Sequence, residues 1–272
     1  MTAYTETFRG QVQLQEIDAT EHFTVACYYE KFEAATWRFL RLMDVDPAAA
    51  RTTAALTTYT TELRQRDIYR IETAVIASGP VPILGHKLFN AATGGLCTAM
   101  QQTLTGVTLA GPAVVWDGNV REERAVPGDE AGWVPSSLDI VRPEEADWSG
   151  RLSLRGYIRR FGTANGFVMS ALGMTPEYMT EARVGLSTFE FQLTLHSLAK
   201  PGDVLDVESC LAHLGNSSLR FYHRMRNAET GAEVAGLSQF GVQLDLDARR
   251  PSRIPDHIRE RHQALRESRW RS

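Results

Sequence analysis

A carboxylate and an imidazole stand four residues apart near the N-terminus, within the stretch EIDATEHFTVACYYEKFE that runs from Glu16 to Glu33. Asp18 and His22 come directly before a helix-like pattern, whose first backbone N–H groups have no partner inside the helix. A carboxylate in that place can attack a carbonyl or activate water, and the N–H groups can stabilise the oxygen that becomes negative. The alternative is structural, because aspartate is common in N-caps and Asx-turns and a single histidine at a helix start is often a hydrogen-bonded surface residue.

The helix that must position these groups is predicted from Tyr28 onward. Apolar residues recur there at the spacing of one helical face. The helix should have about 16 residues and end before Asp44, because Pro47 follows and proline disfavours helix at the residue before it. The predicted apolar face consists of Tyr28, Phe32, Ala35, Phe39, Leu42 and Met43.

The same pattern returns 129 residues later. Asp147 then pairs with Asp18, and DWSGRLSLRGYIRRF lies in register with DATEHFTVACYYEKF. An aspartate, a tyrosine and a phenylalanine matching in one register, on a shared helical period, indicate an internal repeat. The second apolar face consists of Tyr157, Phe161, Ala164, Val168, Ala171 and Leu172.

Each predicted helix is followed by segments rich in Thr, Val, Ile, Leu and Phe, which are separated by turn sequences such as SGPVP, NAATGG and NAETG. Each half should therefore contain one long helix and about four antiparallel strands, with one more strand before the helix, in FRGQVQLQEI and SSLDIV. Wrapping such a sheet around its helix buries the apolar stripe. The join between the halves is expected in residues 110–132, and a C-terminal helix is predicted from Pro255 to Leu265.

Composition and charge exclude several classes of protein. With 272 residues, of which 43% are hydrophobic, the chain can bury a core, and its net charge of -4 argues against a nucleic-acid partner. The sequence has no membrane span of roughly 18 uninterrupted apolar residues, and its three cysteines form no CxxC pair, which fits a reducing cytoplasm. The seven histidines form no HxH or HExxH pair, so no metal site is expected.

The chain resembles the hotdog-fold thioesterases, which include acyl-CoA, acyl-carrier-protein and 4-hydroxybenzoyl-CoA thioesterases. In the first half the resemblance lies in DATEHFTVACYYEKFEAATWRFL, and in the second in PGDVLDVESCLAHLGNSSLRFYHRM, which is similar to the family's Pro-x-x-Gly-Asp strand opening and Gly-x-Ser-Ser hairpin. It implies an α+β tandem, or double, hotdog, in which each unit is a curved antiparallel sheet wrapped round a long central helix. Residues 1–125 would form the first unit, and residues 126–272 the second unit with the C-terminal helix.

The resemblance also implies roles for residues around the first helix. Asp18 would act as nucleophile or general base, and His22 would orient the aspartate or the water. The backbone N–H groups near Phe23 and Thr24 would polarise the thioester carbonyl. Glu33 is the alternative carboxylate, since some hotdog enzymes take theirs from the helix, although charged residues at this spacing are also typical of a solvated face.

Three further residues are expected to bind substrate: Tyr28 as part of a pocket floor, and Ser217 and Ser218 in the Gly-x-Ser-Ser hairpin. Asp147 marks a second or degenerate site, because Arg151 stands where the first half has a histidine. An arginine there could hold Asp147 in an ion pair, or bind a substrate carboxylate or the phosphates of coenzyme A.

The function implied is hydrolysis of a thioester on acyl-CoA or on an acyl carrier protein, with no cofactor beyond the coenzyme A or phosphopantetheine of the substrate. Two alternatives stay open: a hotdog-type enoyl- or 3-hydroxyacyl-thioester hydratase or dehydratase, and a non-catalytic acyl-thioester-binding protein. Each unit leaves a sheet edge through which a homo-oligomer could form.

Overall fold

The computed structural model describes residues 3–18, 21–118 and 122–268. Contacts between backbone positions divide the chain into two compact units, residues 1–122 with 143–158 and residues 123–142 with 159–272. Each unit contains a five-stranded antiparallel sheet, and four helices occur in the described residues. The helices are α1 (Val25–Leu42), α2 (Leu154–Ala171), α3 (Pro176–Glu181) and α4 (Asp256–Glu267).

The first unit pairs its strands in the order β1-β3-β4-β5-β2. Strand β4 returns to β5 through a turn in which Gly94 has a φ of 74°, a conformation that glycine adopts without strain. On α1 the side chains of Phe39 and Leu40 pack against apolar side chains of this sheet and form one core cluster. The strands are β1 (Thr5–Gln11), β2 (Arg51–Tyr59), β3 (Ile68–Ala77), β4 (Ile83–Asn90) and β5 (Leu96–Thr105).

The second unit repeats this topology in the order β6-β8-β9-β10-β7, and a two-residue strand, β11 (Arg250–Pro251), pairs with β10. Its core cluster joins Val168 of α2 and Leu172, the residue after that helix, to side chains of β8 and β9 and to Ile258 of α4. The strands are β6 (Val134–Ile140), β7 (Val184–Leu195), β8 (Val204–Leu214), β9 (Ser218–Asn227) and β10 (Glu233–Asp245).

The predicted internal repeat is present in the backbone. Helices α1 and α2 both have 18 residues and are offset by 129 residues at each end. The short 3-10 helices before them, Leu14–Glu16 and Pro143–Glu145, have the same offset. One hairpin recurs as well, because Asn90 and Asn227 each accept two backbone N–H groups through the side-chain oxygen at the end of a strand. The expected fold class, with a helix packed on an antiparallel sheet in each half, is confirmed.

Several boundaries differ from the sequence prediction. The strand expected in FRGQVQLQEI, through Ile17, ends at Gln11. Leu42 was expected on the buried face of α1 but is 49% exposed, because the helix ends there and residue Asp44 turns the chain with a φ of 58°. Helix α3 was not anticipated. The predicted boundary between residues 125 and 126 stays a prediction.

Candidate functional site

Asp18 lies in a tight turn that precedes α1. Its backbone N–H donates to the carbonyl of His22, and its Oδ1 accepts the backbone N–H of His22 at 3.2 Å. Glu21 completes the turn with a φ of 64°. The imidazole of His22 contacts the carboxylate of Glu62 at 3.1 Å between Nε2 and Oε2. Asp18 is exposed, and its Oδ1 accepts a backbone N–H of its own turn. The catalytic roles of Asp18 and His22 stay predictions.

Asp147 occupies the same turn in the second repeat. Its Oδ1 accepts the backbone N–H groups of Ser149 and Arg151, at 2.7 and 3.1 Å, and Gly150 has a φ of 78° where the first repeat has Glu21. The guanidinium of Arg151 donates to the carbonyl oxygens of Ala48 and Ala50, each at 3.3 Å. Arg151 therefore contacts Asp147 through its backbone N–H, and its side chain ties this turn to the segment after α1.

The N–H groups expected to polarise the substrate carbonyl are engaged elsewhere. Phe23 donates to the carbonyl of Leu63 at 2.8 Å, and Thr24 donates to the carbonyl of Glu16 at 2.9 Å. Tyr28 is 3% exposed, and its ring packs edge-on against Phe23 with 4.6 Å between centroids. A ligand would have to break these bonds to use either N–H, so the substrate-binding roles of Phe23, Thr24 and Tyr28 stay predictions.

Ser217 and Ser218 lie at the turn between β8 and β9 in the second unit. The carbonyl of Ser217 accepts the backbone N–H of Gln243 at 2.8 Å, and the hydroxyl of Ser218 is 3.2 Å from Nε2 of His213. Arg259 of α4 donates to the carbonyl of Gly215 at 2.7 Å and so holds the turn against the C-terminal helix. Binding of substrate by these serines stays a prediction.

In the first unit, the carboxyl group of Glu33 lies at the N-terminus of an α-helix. Glu33 lies on α1, and its Oε1 accepts the backbone N–H of Leu154, the first residue of α2, at 3.0 Å. The first N–H groups of a helix lack partners in the helix and carry partial positive charge. A carboxyl group and a donor for a developing oxyanion are thus adjacent at this point.

The pKa of Glu33 is raised from 4.5 to about 8, chiefly by burial and further by the negative charges of Asp147 and Glu30, although the hydrogen bond from Leu154 opposes the shift. Glu33 as a residue is half-buried. A carboxyl whose pKa lies near the working pH is suited to general acid–base chemistry.

A network of charged side chains joins α1 to the first turn of α2. Glu30, one turn before Glu33, forms an ion pair with Arg155 in the first turn of α2. Lys31 bridges Glu30 and Glu16, with Nζ 2.8 and 2.7 Å from their Oε1 atoms. Lys31 keeps only 13% of its side chain exposed, and the two carboxylates raise its pKa against the effect of burial. The network therefore fixes the first turn of α2 relative to α1.

Comparison of the two repeats distinguishes Glu33 from the residues that the repeats share. Shifting the register by 129 residues places Gly162 opposite Glu33, and a Cβ built on Gly162 would meet no heavy atom within 4 Å. By contrast, Phe32 has its match in Phe161, and both rings pack against a buried histidine, His86 and His223 respectively. A side chain that occurs in both repeats is explained by the fold that the repeats share. A carboxylate that occurs in only one repeat has to be explained by its own surroundings.

Two further histidines are buried in the sheets of the described residues. His86 and His223 are fully buried in β4 and β9, where Nδ1 lies 2.9 Å from Thr73 Oγ1 and 2.7 Å from Ser209 Oγ. Within residues 3–18, 21–118 and 122–268, no group of three or more His, Cys, Asp and Glu side chains is placed to hold a metal ion. No helix among those residues is long and apolar enough to cross a membrane.

Comparison with known proteins places the fold. Residues 141–262 match the family model of the thioesterase-like superfamily. No curated protein matches the chain at a significant level. The expected resemblance to the hotdog-fold thioesterases is confirmed for the second half of the chain by this match.

Three solved structures are similar over nearly the whole chain. A protein from Lactobacillus plantarum described as an oleoyl thioesterase has 9% identity and a TM-score of 0.67, with 89% of this chain and 97% of that chain covered. The 12:0-ACP thioesterase from Umbellularia californica has 11% identity and a TM-score of 0.63, covering 88% and 94%. An acyl-ACP thioesterase from Bacteroides thetaiotaomicron has 10% identity and a TM-score of 0.61, covering 87% and 96%. At these identities the similarity is one of fold, and the fold is the double hotdog.

Proposed function

We propose that this double-hotdog chain, whose second half matches the thioesterase-like superfamily, hydrolyses an acyl thioester and that Glu33 is the carboxylate that activates the water. One observation carries the proposal: the carboxyl of Glu33, with its pKa raised to about 8, lies against the N-terminal N–H of α2. The acyl group would be carried by coenzyme A or by an acyl carrier protein. Two of the similar structures are named as thioesterases of acyl-ACP, which makes that carrier worth testing beside coenzyme A.

In the proposed reaction the thioester carbonyl replaces the Glu33 carboxyl at the N–H of Leu154. The ionised carboxylate then takes a proton from water, and the water oxygen bonds to the carbonyl carbon. The electron pair of the C=O bond moves to the oxygen, which the N–H and the partial positive charge of the helix N-terminus stabilise. Collapse breaks the C–S bond, and the thiolate takes the proton back from Glu33, leaving a carboxylic acid and a free thiol.

The pH dependence follows from the state of Glu33. Only the ionised form can accept the proton, and with a pKa of about 8 roughly one tenth of the groups are ionised at pH 7. The value of kcat/KM should therefore rise about tenfold for each pH unit below 8 and level off above it.

The test measures thiol release from a panel of acyl-CoAs and from an acyl carrier protein, with enoyl absorbance followed in parallel. Glu33→Gln should lower kcat/KM by about 10² to 10⁴ and remove the dependence on ionisation near pH 8. Glu229→Gln, in an exposed hairpin turn of the second unit, is the matched control and should keep the activity.

Asp18→Asn separates this proposal from the role predicted for the turn aspartate. Full activity in Asp18→Asn together with loss in Glu33→Gln supports Glu33 as the base. The reverse result would restore Asp18 and refute the proposed mechanism. Hydration of an enoyl thioester without thiol release would reject hydrolysis altogether.

A further inference from the structure

Two tryptophans in contact, the half-buried Trp37 and the exposed Trp148, belong to the elements that hold the Glu33 carboxyl. Trp37 and Trp148 have 4.9 Å between ring centroids and an interplanar angle of 45°, so the two rings form an open V rather than a stack. Trp148 keeps 60% of its surface exposed in spite of this contact. Leaving an aromatic ring of this size in water forgoes the free energy that its burial would supply.

The position of the pair is fixed by the two elements that form the site. Trp37 follows Glu33 by four residues on α1, and residues at that spacing are neighbours on one helical face. Trp148 belongs to the turn that leads into α2, six residues before Leu154, which donates its N–H to Glu33. Asp147, the residue before Trp148, lies close enough to Glu33 for its negative charge to raise the pKa of that carboxyl. The pair therefore lies next to residues that form the proposed site.

The internal repeat allows each of these residues to be compared with its counterpart in the other half of the chain. Residues that serve the fold recur in both halves, as Tyr28 and Tyr157 do. At the same offset Trp37 has Gly166 as its counterpart and Trp148 has Ala19 in the sequence, just as Glu33 has Gly162. Glu33 and Trp37 thus belong to the first repeat and Trp148 to the second, and none of the three has a similar residue at its matching position. The repeated scaffold therefore does not require these side chains.

We propose that Trp37 and Trp148 form the acyl-binding wall of the Glu33 site and select thioesters with an apolar acyl group. The proposal rests on the proposed function, since it identifies the part of the substrate that meets the rings. The adenine of coenzyme A is separated from the thioester by the length of the pantetheine arm, whereas the first carbons of the acyl chain are bonded directly to the reacting carbonyl. Apolar carbons are what an exposed indole surface binds, so the acyl group is the occupant that we assign to the pair.

The experiment compares kcat/KM for acetyl-, hexanoyl-, dodecanoyl- and benzoyl-CoA in the wild type, Trp37→Ala, Trp148→Ala and Trp148→Phe. For the three apolar acyl groups, each alanine variant should lose about tenfold or more, whereas acetyl-CoA should change less than about twofold. Trp148→Phe should recover most of the loss. Leu138→Ala, which removes another exposed apolar side chain on β6, should match the wild type with every substrate.

Binding to Glu33→Gln keeps this proposal separate from the proposed function. Titration calorimetry of Glu33→Gln with dodecanoyl-CoA and with free coenzyme A gives the contribution of the acyl chain without turnover, and adding Trp148→Ala should abolish the advantage of the acylated ligand. If Glu33 proves not to be the base but Trp148→Ala still removes this advantage, the acyl-binding wall is supported and the proposed mechanism is refuted. An equal loss with acetyl and dodecanoyl substrates, or an unchanged preference in both alanine variants, would overturn the acyl-binding wall while leaving the role of Glu33 intact.

Discussion

Glu33 should destabilise the protein at the pH where it works, and Glu33→Gln should therefore make the chain more stable as well as inactive. In the folded protein burial and the charges of Asp147 and Glu30 hold the pKa at about 8, whereas in the unfolded chain the carboxyl has its ordinary value near 4.5. Between these values the unfolded chain releases a proton that the folded protein keeps. The contribution of Glu33 to the free energy of unfolding thus falls as the pH rises from about 4.5 to about 8 and is constant above that.

The size of the effect follows from the two pKa values. Each pKa unit corresponds to about 1.4 kcal/mol, so the full difference sets an upper limit of about 5 kcal/mol. The side chain is partly exposed, and solvent reduces the cost of its charge, so we expect about 2 kcal/mol. Glutamine carries no charge and can still accept the N–H of Leu154, so it keeps this hydrogen bond without the charge that burial and the carboxylates of Asp147 and Glu30 disfavour.

The assay is thermal unfolding of the wild type and Glu33→Gln at pH 5, 7 and 9. The two proteins should differ little at pH 5, and the variant should be about 4 to 8 °C more stable at pH 9. Glu229→Gln, the exposed control, should follow the wild type at every pH. A stability difference that does not change with pH, or a variant that is less stable at pH 9, would refute the argument that Glu33 is held in a strained electrostatic environment.

Three further predictions test other parts of the structure. Arg155→Met removes the partner of Glu30 and should lower kcat/KM severalfold with about 1 kcal/mol or less of lost stability, because this arginine is 38% exposed; kinetics and urea unfolding of the same preparation would show whether the two effects separate. Burial lowers the pKa of His86 to about 4, so the protein should lose stability as the pH falls from about 6.5 to 4, and NMR titration showing the His86 ring protonated near pH 6.5 in the folded state would contradict this. Gly106→Ala should lower the free energy of unfolding by about 3 kcal/mol, because Gly106 has a φ of 80° and a Cβ there would collide with a backbone carbonyl. Gly94 has a φ of 74° but open space around it, so Gly94→Ala should lower the free energy of unfolding by only about 1 kcal/mol. Equal losses in urea unfolding would argue against the collision.

The fold could be predicted because its evidence is periodic and occurs twice. The helical spacing of Tyr28, Phe32 and Phe39 recurs at an offset of 129 residues, and both helices begin and end at that offset in the structure. Turn sequences with Asn and Gly separated the strands correctly because these residues form turns through local geometry. Leu42 was misplaced because sequence periodicity does not reveal that a helix ends at that residue.

The carboxylate of the site was harder to select from the sequence. Asp18 looked favourable because an aspartate before a helix is a local pattern, yet the structure places its Oδ1 on the backbone N–H of His22 within one turn. Glu33 resembled a residue of a solvated helix face, because a helical pattern shows which residues share a face and leaves open what packs against that face.

What the sequence by itself determined was the set of elements, their repetition and the presence of candidate carboxylates in the first repeat. What only the tertiary structure decided was the partner of each carboxylate. Glu33 and Leu154 are 121 residues apart in the chain, and their hydrogen bond exists only because the turn around Asp147 brings the start of α2 against α1. Burial, which raises the pKa of Glu33, arises from the same long-range packing, and no local spacing of residue types encodes it.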